Sequence, residues 1–155
     1  MSAPEADAAG RHDDFVYSSI VVDAQPSVVY DAIRSQRQVD PARKLISTSG
    51  NEAVIDERYS GLPVIGSARC IYKEVESAPN ARMDYELIKS DKFKSFQGTW
   101  LLTPVGDDRT EVRLTSKLDT GLHIPFARQI TNSAVMKDVQ RRLTRVKDLA
   151  EHRQQ

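Results

Sequence analysis

Apolar and polar residues alternate along most of this chain, and the alternation predicts an antiparallel sheet. Residues 15–22 form a first cluster of β-forming side chains, which ends before Pro26. Later alternating segments are separated by short turns rich in Gly, Pro, Asn and Asp, which favour hairpins over long crossovers. We therefore predict strands at 53–60, 67–77, 82–89, 93–103 and 110–120, with a return to extended structure at 44–50.

Helical spacing of apolar residues predicts the remaining elements. Residues 28, 29, 32 and 33 form an apolar stripe after Pro26, which suits the first turn of a helix, and Pro41 keeps any second helix there short. From about residue 125 to 152 the apolar residues follow a helical period. The cationic residues of this segment are assigned to its opposite, outer side: Arg141, Arg142, Arg145 and Lys147. A long amphipathic helix after a run of strands indicates an α+β fold with the helix laid across the sheet.

Length and charge narrow the class of protein. The chain has 155 residues, of which 1–14 are small, polar and acidic and are interpreted as a flexible tail, and 15–153 as a single domain. Lys plus Arg and Asp plus Glu both number 22, so the broad basic surface of a nucleic-acid binder is not expected. With no long apolar run and no signal pattern, we expect a cytoplasmic protein without stable membrane insertion.

Three local sequences resemble the START/Bet v 1-like superfamily, the polyketide cyclase/dehydrase and lipid-transport group. The first strand ends in VDA at 22–24 and is followed by PSVVYDAI at 26–33, as in the opening of that family. GTWLLTP at 98–104, with Gly106 and RTEV at 109–112, is similar to the family's penultimate hairpin. Gly121, Ile124 and Pro125 then precede the long helix, so the resemblance covers about residues 15–151.

The resemblance implies a helix-grip fold, in which a curved seven-stranded antiparallel sheet wraps around a long C-terminal helix, with one or two short helices after the first strand. It also implies a cavity between sheet and helix for a hydrophobic or amphipathic small molecule, such as a lipid, quinone or polyketide. Some members are cyclases or aromatases, and some bind other proteins. No cofactor is implied. The cavity mouth would lie at 61–66, 89–93 and 120–126, with Leu62, Pro63, Phe93 and His123 around it.

Aromatic and sulfur side chains are the candidates for the cavity wall. An apolar cavity with a few polar handles needs large apolar groups and some hydroxyls. The candidates are Tyr59, Cys70, Tyr72, Met83, Tyr85, Phe96, Trp100, Phe126, Ile130 and Met136. The same residues could instead fill a closed core, and the inward phase of the 67–77 strand stays open because Ile71 and Val75 alternate with Cys70 and Tyr72.

Glu57 is the most specific polar candidate. It shares the alternation frame of Ala53, Ile55 and Tyr59, which would place a carboxylate on the cavity wall. There it could bind a ligand hydroxyl or act as a general base with a raised pKa. The alternatives are that Asp56 and Arg58 face inward near a bulge, or that Glu57 lies at a solvated rim.

Other chemistry finds little support in the sequence. His12, His123 and His152 lack the spacing of metal ligands, and Cys70 is the single cysteine, so neither a metal site nor a disulfide is expected. No nucleophile elbow and no phosphate-binding loop is found. The apolar turn at 61–66 could cap the mouth, touch a membrane, or pack on a neighbouring loop.

Three functions remain. The first is non-catalytic binding or transport of the small molecule, which requires an interior space larger than a few water molecules. The second is a cyclase or aromatase that uses Glu57, Tyr72 or Tyr85 for proton transfer. The third is a protein-interaction module, which a filled interior and an exposed apolar patch at 62–65 would favour.

Overall fold

Eight antiparallel strands and two helices make up residues 9–12 and 15–152, the part of the chain that this computed structural model describes. Their order is β1 (Ala9–His12), β2 (Phe15–Val22), α1 (Pro26–Val39), β3 (Arg43–Ser49), β4 (Glu52–Leu62), β5 (Gly66–Ala78), β6 (Arg82–Ser90), β7 (Ser95–Val105), β8 (Arg109–Asp119) and α2 (Ala127–His152).

The strands form one sheet in the order β1-β2-β8-β7-β6-β5-β4-β3. Consecutive strands pair as hairpins from β3 to β8, and β2 joins the sheet beside β8, with Val16 opposite Ser116. The curved sheet wraps α2, which packs chiefly against β2, β8 and α1. The predicted α+β helix-grip fold is confirmed.

Alternation in the strands and helical spacing in α2 build the core, as the sequence predicts. The buried face of α2 carries Val135, Val139, Leu143, Val146 and Ala150, at intervals of three or four residues. Each fully buried Val or Leu side chain stabilises the fold by about 1.5–3 kcal/mol. No helix within the described residues is long and apolar enough to cross a membrane.

The N-terminal residues differ from the prediction. Residues 9–12, assigned to a flexible tail, form β1 at the edge of the sheet, with Ala9 opposite Ser18. Gly10 allows this pairing because a Cβ atom there would lie 2.7 Å from the Tyr17 hydroxyl. β1 therefore adds an eighth strand to the seven predicted. Residues 1–8, 13–14 and 153, also covered by the predicted domain boundaries, lie outside the described residues.

Two arginines of α2 also differ from the prediction that they lie on its outer side. The Arg142 side chain is 11% exposed and the Arg145 side chain 37%. Arg142 stands at the edge of the apolar stripe, beside Leu143, and its guanidinium pairs with Glu57 and Asp138. An arginine is buried at such a boundary when ion pairs replace its lost hydration.

Candidate functional site

Five aromatic rings form a continuous cluster on the concave face of the sheet, near the end where β4, β6 and β8 finish. Phe96 on β7 lies at its centre, with ring centroids 5.1 Å from Tyr85, 5.7 Å from Tyr72, 5.8 Å from Tyr59 and 6.0 Å from Phe93. These tilted and edge-on contacts are the favourable arrangements for aromatic pairs. We call these five residues the aromatic cluster.

The space between the aromatic cluster and α2 is almost filled. Tyr72, Tyr85 and Phe96 line a gap there together with Glu74, Trp100, Leu114 and Arg142, and its volume is about 10 Å³. A gap of this size holds about one water molecule. The wide cavity expected at this position is therefore closed by side chains in this conformation.

Glu57 faces this interior, as its alternation frame predicts, and is 3% exposed. Its Oε1 accepts a hydrogen bond from the Tyr72 hydroxyl at 2.7 Å and lies 3.3 Å from Arg43 Nε. Its Oε2 accepts a hydrogen bond from Arg142 Nη2 at 2.5 Å. The alternative frame is excluded, since Arg58 is exposed and Asp56 pairs with Arg69 on the outer face.

Arg142 connects α2 to the aromatic cluster. Besides Glu57, it donates to the Tyr59 hydroxyl at 2.8 Å, and its guanidinium carbon lies 5.7 Å from the centre of the Tyr59 ring. Its Nε donates to Asp138 Oδ2, one turn earlier on the same helix, at 2.7 Å. One side chain therefore contacts three acceptors on two elements. We call Glu57, Tyr59, Tyr72, Arg142 and Asp138 the polar network.

Burial sets the protonation behaviour of the polar network. Loss of hydration raises the pKa of Glu57 to about 7, against the opposing effects of Arg43 and of the Tyr72 hydrogen bond. Burial also raises the pKa values of Asp138, Tyr59 and Tyr72. The two tyrosines are therefore hydrogen-bond donors at neutral pH, and Glu57 titrates near neutrality.

A second buried ion pair lies deeper between α1 and β5. Arg37 Nε donates to Glu74 Oε1 at 2.6 Å, and both side chains are less than a tenth exposed. Arg37 Nη2 also lies 3.9 Å from the sulfur of Met83. The neighbouring Gln36 is fully buried, and both polar atoms of its amide lack a partner in the described chain. The interior thus contains several charges in spite of its apolar lining.

The remaining candidates for the cavity wall differ in their positions. Cys70 and Tyr72 face inward, which settles the phase of β5. Met83 and Trp100 are buried, Met136 is half-buried against the core, and Ile130 is half-buried. Phe126 is 73% exposed and does not line the interior.

The mouth residues are placed around the same end of the sheet. Phe93 is buried in the aromatic cluster and Leu62 packs against the core, whereas Pro63 and His123 are exposed. Nearby, a groove of about 380 Å³ runs between the end of β8 and the first turns of α2.

Among the described residues, no three His, Cys, Asp or Glu side chains are close enough to hold a metal ion.

Sequence reasoning missed Arg43, Glu74 and Arg142. Glu74 carried a usable signal, because it continues the inward frame of Cys70 and Tyr72 on β5. Arg43 lies opposite Glu57 in the sheet, and Arg142 reaches Glu57 across 85 positions of the chain. Neither pairing is visible without the fold.

Comparison with known proteins gives one family and several similar structures. The family model described as polyketide cyclase / dehydrase and lipid transport matches residues 15–151. The protein TTHA0849 from Thermus thermophilus aligns with a TM-score of 0.74 at 18% identity, over 91% of this chain and 99% of that chain. The Zhui aromatase/cyclase from a Streptomyces species aligns with a TM-score of 0.74 at 14% identity, over 91% and 95%.

A START superfamily protein from Mycobacterium smegmatis aligns with a TM-score of 0.65 at 15% identity, over 87% of this chain and 98% of that chain. At these identities the structural likeness shows a common fold alone. Among curated proteins, no sequence matches this chain.

Proposed function

Because the chain belongs to the polyketide cyclase / dehydrase and lipid transport family, we propose that it binds a hydrophobic or amphipathic small molecule between the sheet and α2 and carries it unchanged. The ligand is of the lipid, quinone or polyketide class. Its apolar part contacts the aromatic cluster, and an oxygen at its polar end accepts hydrogen bonds from Arg142 and Tyr59. The proposed location is the cytoplasm.

The observation that carries this proposal is the way α2 meets the aromatic cluster. The apolar face of α2 packs chiefly on β2, β8 and α1, whereas the hydrogen bonds that join it to Tyr59 and Glu57 come from the guanidinium of Arg142. A buried ion pair contributes little net stability compared with apolar packing of the same volume. A ligand oxygen can therefore replace Glu57 or Tyr59 as the partner of Arg142 at modest cost.

Asp138 makes this exchange easier. It lies four positions before Arg142 on α2 and holds Arg142 Nε independently of the sheet. When the guanidinium moves away from Glu57, it keeps this acidic partner, and Glu57 keeps Arg43 and Tyr72. Neither buried charge is left alone, so the filled interior can open without the penalty of an unpaired ion.

The test uses Trp100, the single tryptophan of the chain, which lines the interior gap. Oleate, a short-chain ubiquinone and an aromatic polyketide such as emodin are titrated while Trp100 emission is followed. We expect saturable, one-to-one quenching by at least one of them. Tyr59→Phe, which keeps the ring and removes the hydroxyl, should weaken binding about fivefold to tenfold, as for one lost hydrogen bond of about 1–1.4 kcal/mol.

Tyr17→Phe is the matched control, because Tyr17 packs against Gly10 and Arg113 on the outer face. It should bind as the unmodified chain does. Absence of saturable quenching by all three compounds, together with native mass spectra of the protein from its own host that show no adduct, would contradict the proposal. That result would favour the protein-interaction module.

A second candidate function is catalysis of ring closure on a polyketide-like substrate. It is favoured by the Glu57 carboxyl, whose pKa of about 7 suits a general base, and by its 2.7 Å hydrogen bond with Tyr72. Mass spectra of each compound after incubation separate the two functions. Recovery of the unchanged compound supports the carrier, and a product that is lost in Glu57→Gln supports the enzyme.

A further inference from the structure

Three loops meet at the end of the sheet beside the aromatic cluster, and we call residues 61–66, 91–94 and 120–126 the tip surface. Lys92 Nζ donates to the carbonyl of Ile65 at 3.2 Å, which joins the first loop to the second. The backbone N–H of Lys94 donates to the carbonyl of Asp119 at 2.7 Å, just before the third loop. The three loops therefore form one continuous surface.

The tip surface carries the two most exposed large apolar side chains in the described part of the chain. Phe126 is 73% exposed and Val64 is 66% exposed, and Ile124 beside them is 39% exposed. Leu62, two positions before Val64, and Ile65, directly after it, pack inward against the core. The turn thus presents Val64 outward, beside the exposed Pro63, while Leu62 and Ile65 pack inward.

Both of these side chains are held in a strained backbone conformation. Val64 has a φ of 67° and Phe126 a φ of 62°, in the left-handed region that favours glycine. Asn80 is the other non-glycine residue with positive φ among the described residues, and asparagine tolerates it well. A β-branched valine does not tolerate positive φ well. Strain that persists at an exposed apolar residue, where glycine would relieve it, points to a use for the side chain.

Lysines surround these apolar residues. Lys92 and Lys94 belong to the tip surface, and Lys89 and Arg128 flank it. The two acidic residues of the same segments are Asp91 and Asp119, and a carboxylate oxygen of each accepts a backbone N–H, from Arg69 and Gly121 respectively. Residues 89–94 and 119–128 carry a net charge of +2, although the whole chain is neutral.

We propose that the tip surface docks on a lipid bilayer that contains anionic lipid, with Val64 and Phe126 inserted shallowly as apolar anchors. Exposed apolar residues surrounded by lysines are typical of binding at the headgroup boundary of anionic membranes. A protein partner fits less well, because protein interfaces are depleted in lysine and their apolar core is contiguous and close-packed. The proposal does not rest on the proposed function, since docking needs no opening of the interior.

The test is flotation of the full chain with vesicles of phosphatidylcholine, with and without phosphatidylglycerol. We expect binding to the anionic vesicles alone and release at high salt, where surface charges are screened. Lys92→Gln combined with Lys94→Gln should weaken binding about 25-fold, at about fivefold for each lysine. The matched control is Arg109→Gln, an exposed cation at the first position of β8, at the opposite end of the sheet.

Glycine substitution separates docking from folding. Val64→Gly combined with Phe126→Gly removes both anchors and relieves the strain at both positions, so the melting temperature should hold or rise while vesicle binding falls about tenfold or more. Leu101→Ser, at an exposed apolar residue in the middle of β7, should leave vesicle binding unchanged. Equal flotation with neutral vesicles, or undiminished binding of the double glycine variant, would overturn the proposal.

Discussion

At the scale of single residues, the close approach of Tyr85 to Gly98 is a tight packing constraint in the sheet. The two residues lie opposite each other on β6 and β7, and the Tyr85 ring covers the glycine. A Cβ atom at position 98 would lie 2.3 Å from the Tyr85 ring and 2.2 Å from the carbonyl oxygen of Thr115. The position of one of the five rings therefore depends on the absence of a side chain.

Gly98→Ala should lower the free energy of unfolding by about 3 kcal/mol, because the backbone carbonyl of Thr115 cannot move aside. Urea denaturation followed by Trp100 emission measures this. Gly106→Ala is the control, since its φ of 71° is unfavourable for alanine but no atom lies within 4 Å of the new Cβ, and it should cost only about 1 kcal/mol. Equal costs for the two variants would contradict the assigned packing.

Glu57 determines a pH dependence of stability with a defined sign. Its pKa rises from 4.5 to about 7 on folding, so the folded protein binds this proton more tightly than the unfolded chain does. The stabilisation is fully present below pH 4.5 and is lost as the pH rises through about 7. Its size is of the order of 3 kcal/mol, from the shift in pKa.

Glu57→Gln should remove this dependence. The free energy of unfolding of the unmodified chain should fall from pH 5.5 to pH 8 relative to that of the variant, as urea denaturation across the range would show. A parallel pH dependence in both chains would mean that Arg43 and Arg142 keep Glu57 ionised throughout.

Prediction from sequence worked at this scale where a residue follows the alternation of its own strand. The frame shared with Ala53, Ile55 and Tyr59 predicts an inward Glu57, with the opposite frame or a solvated rim as the alternatives, and the structure has Glu57 inward. Arg142 was placed outward because an arginine on an amphipathic helix is normally solvated. Its burial depends on Glu57, a partner 85 positions away, and only the fold brings the two together.

At the scale of elements, α2 is attached to the sheet in two different ways. Its apolar stripe packs chiefly on β2, β8 and α1, and Arg142 joins it to Glu57 and Tyr59 of β4 by hydrogen bonds. Apolar packing depends on area, whereas a buried ion pair depends on both partners being present. The two attachments should respond differently to substitution.

Arg142→Met should destabilise the protein by about 2 kcal/mol, because Glu57 loses a charge-assisted hydrogen bond while it keeps Arg43 and Tyr72. Glu57→Gln combined with Arg142→Met should cost less than Arg142→Met alone, because an amide at position 57 needs no cationic partner. Arg141→Met, at a neighbouring side chain that is 64% exposed, should change stability by less than about 0.5 kcal/mol. If the stability costs of Glu57→Gln and Arg142→Met simply add in the double variant, the two side chains are not energetically coupled.

The elements themselves were predicted well where residue patterns are regular. Strands β4 to β8 follow the alternation within one or two residues at most ends, and α2 begins two residues later than predicted, after the left-handed Phe126. β1 was missed because Ala9–His12 has no apolar alternation, and backbone pairing with β2 holds it. Whether the space under α2 is open or filled depends on how the rings and Arg142 pack, which no pattern along the chain reports.

At the scale of the whole molecule, the formal neutrality of the chain hides a separation of charge. Three arginines and two glutamates are buried or nearly so between the sheet and the helices: Arg37, Arg43, Arg142, Glu57 and Glu74. The exposed tip surface and its flanks carry an excess of lysine and arginine. The neutral net charge argues against a broad basic face on the protein. It does not report a local excess of cations at one end of the molecule.

The pairing of β2 with β8 has a consequence for how the chain reaches this structure. Val16 and Ser116 are neighbours in the sheet but are 100 positions apart in sequence, and α2, which covers both strands, comes later still. During synthesis β2 stays without its partner β8, and α1 without α2, until the last third of the chain has left the ribosome. Non-local closure of this kind is slow, in the range of milliseconds to seconds. The early half of the nascent chain therefore stays incompletely paired for most of its synthesis.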